Sequence, residues 1–240
     1  QPPPYGQQPY GGPYRTWPTV PYRDRRGGNR VAATAAALAL SSAVVLQWFV
    51  VHAVQHQRDV LHQVLNGAGS ISDVQAADNT VRAVNAATVL VTLAVAAVFI
   101  TWLYRMRTDA GVFHAELMRR DRGWAIGGWF IPFANFVIPY LVISDVTSAF
   151  RTPLEDRWGT RRTDPIVVMW WVVWIVSGIA IRVVALNTPT TVSGFDSHVH
   201  AEILCSAGLT LAGVLGVAVV VTLTAAGNRQ WQRLLAAPPR

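Results

Sequence analysis

Long runs of apolar residues alternate with short polar stretches along most of this chain. Four of these runs, about 31–54, 86–104, 166–186 and 203–223, have close to the roughly 20 residues with which an α-helix crosses a bilayer. The first run carries no formal charge and is longer than the apolar core of a signal peptide, about 7–15 residues. The pattern therefore predicts an all-α membrane bundle of four transmembrane helices.

A fifth apolar stretch, residues 124–146, is long enough to cross the membrane but is poorly suited to a regular helix. Pro132 and Pro139 each lack a backbone donor, and Gly127 and Gly128 precede them. Carbonyl groups freed in this way are costly in lipid unless protein shields them. We interpret this stretch as a re-entrant or interfacial broken helix between the second and third spans, with a Pro-kinked full span as the alternative.

The arginine distribution favours the re-entrant interpretation. With four spans and an inner N-terminus, the cytoplasmic segments hold 17 arginines and the outer loops hold 2. If 124–146 crossed the membrane, the two sides would hold 10 and 9. Because cytoplasmic loops are enriched in basic residues, we expect a multi-pass plasma-membrane protein with both termini in the cytoplasm. Trp124 and Trp129 are expected to anchor the broken helix at the lipid headgroups.

Polar segments flank the predicted membrane domain, residues 30–227. Residues 1–29 are rich in Pro, Gly, Gln and Tyr, a composition typical of a disordered tail, and 228–240 read as a short basic cytoplasmic tail. The first helix is expected to continue to about Leu65, to break at residues 67–70, and to be followed by a second helix after Ser72. Because the chain does not begin with Met, we expect it to be part of a longer protein.

Composition supports a membrane protein and gives no sign of catalysis. Charged residues make up 14% of the chain, against about 25% in soluble domains, and there are 10 tryptophans. The net charge of +7 comes from arginines that flank the spans, so nucleic acid is not expected as a partner. The chain has one cysteine and lacks a P-loop, an HExxH string and a nucleophile elbow. We expect neither an enzyme nor a bound cofactor.

The residues 123–140, GWAIGGWFIPFANFVIPY, followed by Asp145-Val146, carry a family resemblance. Over about residues 86–226 the chain resembles actinobacterial membrane proteins grouped as a domain of unknown function, number four-three-two-eight. The resemblance implies a multi-spanning membrane domain and no particular substrate. It departs at residues 147–149, Thr-Ser-Ala, where such proteins tend to have Trp-Arg-Ala-Ser. The motif residues are Trp124, Gly128, Trp129, Phe130, Pro132, Asn135, Pro139, Tyr140 and Asp145.

Arg182 is the only formal charge well inside a clear span. An intramembrane charge is costly enough to raise a functional hypothesis. Arg182 is expected to reach the interface or to pair with Glu202, and the alternative is that it belongs to a polar pathway. Asp145 is expected to accept hydrogen bonds from Arg105 or Arg107, and with Asn135 it places polar groups in a broken helix, as transporters do.

Five of the six histidines fall on the predicted outer side. His52 and His56 share a helix face, while His198, His200 and Glu202 lie close together in the other outer loop. These residues are candidates for a metal site or a pH sensor, and the alternative is that they are solvated loop residues.

Three functions follow as hypotheses. The leading one is a non-enzymatic interaction or scaffold component of the cell envelope, with protein partners or a homo-oligomer. The second is a small transporter or channel-like protein that uses Arg182, Asp145 and Asn135. The third is an extracytoplasmic metal or pH sensor. Small residues at Gly208, Ala212 and Gly216, and at Ala35, Ala39 and Ala43, predict close helix packing within the bundle, for which the first and last spans are candidates as partners, and the alternative is a homodimer.

Overall fold

A computed structural model describes residues 22–153, 164–187, 189 and 191–236, and the helices it contains account for most of them. Four helices are long and apolar enough to cross a membrane, which confirms the predicted all-α bundle of four spans. In chain order the α-helices are α1 (Tyr22–Leu65), α2 (Ile71–Phe113), α3 (Trp124–Gly127), α4 (Ile138–Arg151), α5 (Pro165–Leu186) and α6 (Val192–Ala236).

The long helices run antiparallel to one another in chain order. At one end of the bundle Asn29 of α1 and Trp231 of α6 both bond to Asp109 of α2. At the opposite end Arg58 of α1 bonds to Asp196 of α6. We call the first the hairpin end, because α3 and α4 also lie there, and the second the far end. The hairpin end therefore contains the first residues of α1 and α5 and the last residues of α2 and α6.

Three of the four spanning helices are much longer than a bilayer is thick. The helices α1, α2 and α6 have 44, 43 and 45 residues, which is about 65 Å each against about 30 Å of hydrocarbon. At the far end they continue as a projection formed by residues 55–65, 71–85 and 192–202. The predicted extension of α1 to Leu65 is confirmed, and the second helix begins at Ile71, close to the predicted start.

Local sequence chemistry explains the turn between α1 and α2. Gly67 takes a positive φ of 74°, a conformation in which glycine avoids the steric cost of a Cβ. Ser70 then caps α2: its hydroxyl accepts from the Asp73 N–H, and the Asp73 carboxylate accepts from the Ser70 N–H. The predicted break at residues 67–70 is therefore confirmed.

Two segments that we assigned to tails are helical in the structure. Residues 22–29 are the start of α1, and 228–236 complete α6. Buried contacts account for both extensions, since Asn29 bonds to Asp109 and the Gln230 amide donates to the Thr152 carbonyl. The remaining parts of the predicted tails, 1–21 and 237–240, lie outside the described residues.

The predicted packing of α1 against α6 is confirmed, with a shifted contact face on α1. Gly213 and Gly216 of α6 approach Val44 and Leu40 of α1 so closely that a Cβ would contact them. Of the alanines predicted to form this face, Ala35 is exposed. Small residues let these two backbones come together, as in other membrane helix pairs.

Candidate functional site

The segment that was ambiguous in sequence, 124–146, forms a hairpin that enters and leaves at the same end of the bundle. Its first arm contains the short helix α3, its turn contains a 3₁₀ helix over Ala134–Phe136, and its second arm is α4. At the base, Arg120 before the first arm contacts Asp145 of α4 at 3.2 Å. This segment is not among the four candidate spans. The segment is therefore a broken helical hairpin, as the re-entrant or interfacial interpretation predicts, and not one continuous Pro-kinked helix.

Proline and glycine positions shape the hairpin. Pro139 lies in the first turn of α4, where a missing N–H costs nothing. A Cβ on Gly128 would lie 2.6 Å from an Ile138 methyl and 2.9 Å from the Trp124 carbonyl oxygen, so only glycine lets the two arms meet there. Phe133 at the turn has a φ of 63°, an uncommon value for a bulky residue.

The turn of the hairpin packs into an aromatic cluster formed with α2 and α5. The Trp129 ring lies 5.8 Å from Phe99, 6.1 Å from Trp171 and 5.9 Å from Trp174, all edge-to-face. The Trp171 indole N–H donates to the Phe136 carbonyl at 3.2 Å, which satisfies a carbonyl freed by the turn. Trp124 is exposed, whereas Trp129 is half-buried and packs against the core of the bundle. Aromatic partners on α2 and α5 draw it inward.

Phe99 gives the depth to which the hairpin reaches. It lies five residues before Tyr104, the predicted end of its span, and therefore about 7–8 Å inside it. Several apolar side chains of the hairpin turn are exposed on the outside of the bundle: Phe130, Ile131, Phe133, Phe136 and Val137. An apolar outer surface at this depth is suited to contact with lipid.

A buried charge cluster fixes the base of the hairpin. The Asp145 side chain is 1% exposed and pairs with Arg120, whose backbone carbonyl accepts from the Arg107 guanidinium. Burial lowers the pKa of Arg107, while the Asp145 carboxylate acts in the opposite direction. Of the two arginines expected to bond to Asp145, Arg105 donates to the Asn29 side chain at 3.3 Å. Arg107 contributes to this cluster through its charge and its bond to the Arg120 carbonyl.

A second polar cluster joins both ends of the chain to α2. The buried Asp109 carboxylate accepts from the Asn29 amide of α1 and, at 3.3 Å, from the Trp231 indole of α6. Since one carboxylate holds three helices, the first and last helices are tied together at the hairpin end. Sequence reasoning missed this cluster, because Asn29 and Trp231 both read as tail residues.

His114, which the sequence analysis did not single out, is almost completely buried at the end of α2. Its Nδ1 contacts the Glu116 carboxylate at 2.6 Å, and its Nε2 is buried without a hydrogen-bond partner in the described structure.

The far-end projection has its own polar contacts. The Asp196 carboxylate of α6 accepts from Arg58 at 2.5 Å and contacts His62 at 2.9 Å, both on α1. The hydrogen bond with His62, followed by that from Arg58, lowers the pKa of Asp196. Gln57 of α1 donates to Asp78 of α2 at 2.6 Å. These contacts join all three helices of the projection.

The structure does not bring the candidate transporter residues together. Arg182 is exposed near the far end, and its guanidinium donates to the Gly178 carbonyl at 3.2 Å. The expected pair between Arg182 and Glu202 is wrong, since the described structure contains no ion pair between them. Asp145 is at the hairpin end, and Asn135 is in the hairpin turn with its side-chain oxygen buried and unpaired.

The candidate metal ligands are likewise dispersed. Residues 198–202, which we placed in a loop, are part of α6. His198 and His200 are therefore two residues apart on a helix, a spacing that points them away from each other. His52 and His56 are exposed on α1. Within the described residues, no group of three or more His, Cys, Asp or Glu side chains could hold a metal ion.

A cavity of about 300 Å³ lies among the four spans. Every spanning helix contributes to its wall, and Trp129 of the hairpin closes it on one side. The wall is mostly apolar. Of its polar members, Gln47 donates to Ser206 at 2.8 Å and Thr88 donates to the Val84 carbonyl at 2.9 Å.

These features define a class: a multi-pass, all-α membrane protein with a broken helical hairpin between its second and third spanning helices. The chain belongs to the family described as Domain of unknown function (DUF4328), whose family model matches residues 66–225, two thirds of the sequence. The match begins in the turn before α2 and includes the whole hairpin, and it confirms the family resemblance. No curated protein and no solved structure matches the chain.

Proposed function

We propose that this membrane protein is a non-enzymatic interaction component of the bacterial cell envelope, embedded in the plasma membrane with its hairpin end in the cytoplasm. The orientation rests on arginine, because the hairpin end carries residues 105–122, 151 and 229–233, whereas the far-end helices carry Arg58, Arg82 and Arg182. In this orientation the far-end projection faces the outside.

The projection is the observation that carries the proposal. A short loop would suffice to connect two spans, yet α1 and α2 continue outward by 11 and 15 residues, or about 16 and 22 Å. Buried Val50, Val54 and Val199 and the Arg58–Asp196 pair hold these extensions to α6. A helical surface held in one arrangement is suited to binding another envelope protein or a second copy of the chain.

Transport is less well supported by the same geometry. Arg182, Asp145 and Asn135 lie on different elements and at different depths. The cavity between the spans is lined mainly by apolar groups, and such a wall offers little to a hydrated ion.

Site-specific photo-crosslinking tests the interaction role. A photoreactive phenylalanine analogue is placed in the projection at Gln63 or Gln75, both exposed, and at the exposed Leu93 within a span as the matched control. We expect discrete protein adducts from the two projection sites in intact cells. Mass spectrometry of the adducts separates a different protein from a second copy. If Gln63 and Gln75 give only the lipid adducts seen at Leu93, the proposal is wrong.

A further inference from the structure

From the geometry of the cavity among the spans, we propose that it is a binding site for one acyl chain of a bilayer phospholipid. The cavity wall includes Leu40 and Ala43 of α1, Thr92 and Ala96 of α2, and Trp174 of α5. All of these lie within the predicted spans, so the medium around the cavity is the hydrocarbon of the bilayer.

The arrangement of the helices opens the cavity sideways. The helix α2 packs along α1, α1 along α6 and α6 along α5, but the described residues form no extended interface between α2 and α5. These two helices approach each other at Phe99 and Trp170, whose ring centroids are 5.7 Å apart. Towards the hairpin end, α4 contacts both helices and fills the space between them. Between the aromatic cluster and the far end, the space between α2 and α5 is therefore the cavity.

The residues that line the cavity differ in their exposure. We call the exposed side of the cavity its mouth and the buried side its rear. Thr92 and Ala96 of α2 line the cavity and are exposed on the outside of the bundle. Ala212 and Trp170 also line it but are only 3% and 4% exposed. A chain that enters beside α2 would thus reach residues that lipid on the outer surface of the bundle does not touch.

The length of the cavity fits a single extended chain. Along α2 its wall extends from Thr88 to Ile100, or about 18 Å, close to the roughly 15 Å depth of one leaflet's hydrocarbon. An acyl chain that lies along α2 would therefore reach from one end of the cavity to the other.

The chemistry of the wall favours hydrocarbon over a polar solute. The Gln47 amide is already bonded to Ser206, and the Thr88 hydroxyl to the Val84 carbonyl. An empty apolar cavity leaves its wall without dispersion contacts, and an acyl chain restores them. Trp129, Trp170 and Trp174 supply a large apolar surface towards the hairpin end.

Photoactivatable lipid tests this site. The full chain is reconstituted into vesicles of phosphatidylethanolamine and phosphatidylglycerol that contain a phosphatidylethanolamine with a diazirine in its acyl chain. After illumination, peptide mass spectrometry locates the adducts. We expect labelling of the rear residues Ala212 or Trp170 in addition to the lipid-facing Leu90 and Leu93.

Two matched variants decide whether the rear adducts come from the cavity. Ala96→Phe places a ring at the mouth and is expected to lower rear labelling about tenfold, the ratio that corresponds to about 1.4 kcal/mol of binding free energy. Ala94→Phe adds the same ring at an exposed position of α2 that is not part of the wall, and should leave the rear labelling unchanged. The smaller Ala96→Leu is used if the first variant lowers the midpoint of thermal unfolding.

Three outcomes overturn the proposal. Adducts confined to Leu90 and Leu93 mean that the chain meets only the surrounding bilayer. Rear labelling that is equal in the Ala96 and Ala94 variants means that the lipid does not enter past Ala96. Rear labelling by a diazirine polyprenyl phosphate, without any by the phospholipid, assigns the cavity to an isoprenoid chain.

Discussion

Asp145 illustrates what single residues do at the base of the hairpin. A carboxylate that is 1% exposed would be costly without a partner, and Arg120 supplies a contact at 3.2 Å while Arg107 adds a nearby positive charge. The sequence marks Asp145 as unusual, because it is an acidic residue in an apolar stretch. Its partner could not be read from the sequence, since Arg120 lies 25 residues away, on the other side of the turn.

Replacing Arg120 by glutamine is expected to destabilise the fold. The change removes one charged hydrogen bond to a buried carboxylate, which typically costs about 1.5–3 kcal/mol. Arg119→Gln, at an exposed neighbouring position, serves as the control and should have little effect. Unfolding in detergent, followed by tryptophan fluorescence, measures both. Equal midpoints for the two variants would contradict the structural role of the pair.

Asp196 predicts an acid-sensitive contact at the far end. Its pKa is lowered in the folded state by His62 and then Arg58, so the ionised carboxylate favours the folded contact. That contribution is present above the unfolded pKa, near 3.8, and is lost as the pH falls through the lower folded value. Spin-label distances between positions 63 and 193 should therefore broaden only after the pH has fallen below 3.8. The Asp196→Asn variant should lack this transition, and an identical transition in it would assign the effect to another group.

At the scale of elements, the sequence predicts the helical spans better than the helix ends. Apolar length locates the four spans, because lipid demands it. Proline, glycine and the arginine distribution locate the hairpin, because they report on backbone hydrogen bonding and on sidedness. The end of α6 could not be predicted in this way. Its last turns are polar and basic, and they are ordered through Gln230 and Trp231, whose partners Thr152 and Asp109 are distant in sequence.

Paired glycine substitutions test the hairpin as an element. Gly128→Ala introduces a Cβ 2.6 Å from Ile138 and 2.9 Å from a backbone oxygen, so the arms must separate. We expect a loss of about 1–3 kcal/mol in stability, as for other overpacked sites. Gly127→Ala, with no atom within 4 Å of the new Cβ, should be neutral or slightly stabilising. Thermal unfolding compares the two, and a neutral Gly128→Ala would contradict the close approach of the arms.

At the scale of the whole molecule, the two ends of the bundle are polar, and the outer surface between them is apolar. Ion pairs and buried hydrogen bonds join the helices at the hairpin end and in the projection, whereas between these ends the outer surface exposes large apolar side chains such as Leu93 and Val176. A bilayer fits this distribution, because only lipid makes such a surface favourable. The family match covers this plan from the turn before α2 to residue 225.

The arrangement of the ends, with the hairpin end in the cytoplasm as proposed, predicts which positions can be labelled from each side. In a Cys205→Ser background, single cysteines at Asn66 and Ser193 should react with a membrane-impermeant maleimide in intact cells. Cysteines at Arg119 and Arg229, all four positions being exposed, should react only after the cells are permeabilised. Labelling of Arg229 and Asn66 from the same side would contradict the antiparallel order of four spans.

The contacts of Trp129 also impose an order on biosynthesis. Its aromatic neighbour on α2, Phe99, has been synthesised before it, but Trp171 follows 42 residues later. At about 5–20 residues per second, the ribosome needs about 2–8 s to supply that partner. During this interval the hairpin can pack against α2 but not against α5, and the Phe136 carbonyl lacks its hydrogen bond from the Trp171 indole. The contacts from α5 thus complete the packing of the hairpin. A nascent chain released before α5 is made would expose an incompletely packed hairpin to the cell's quality-control proteases.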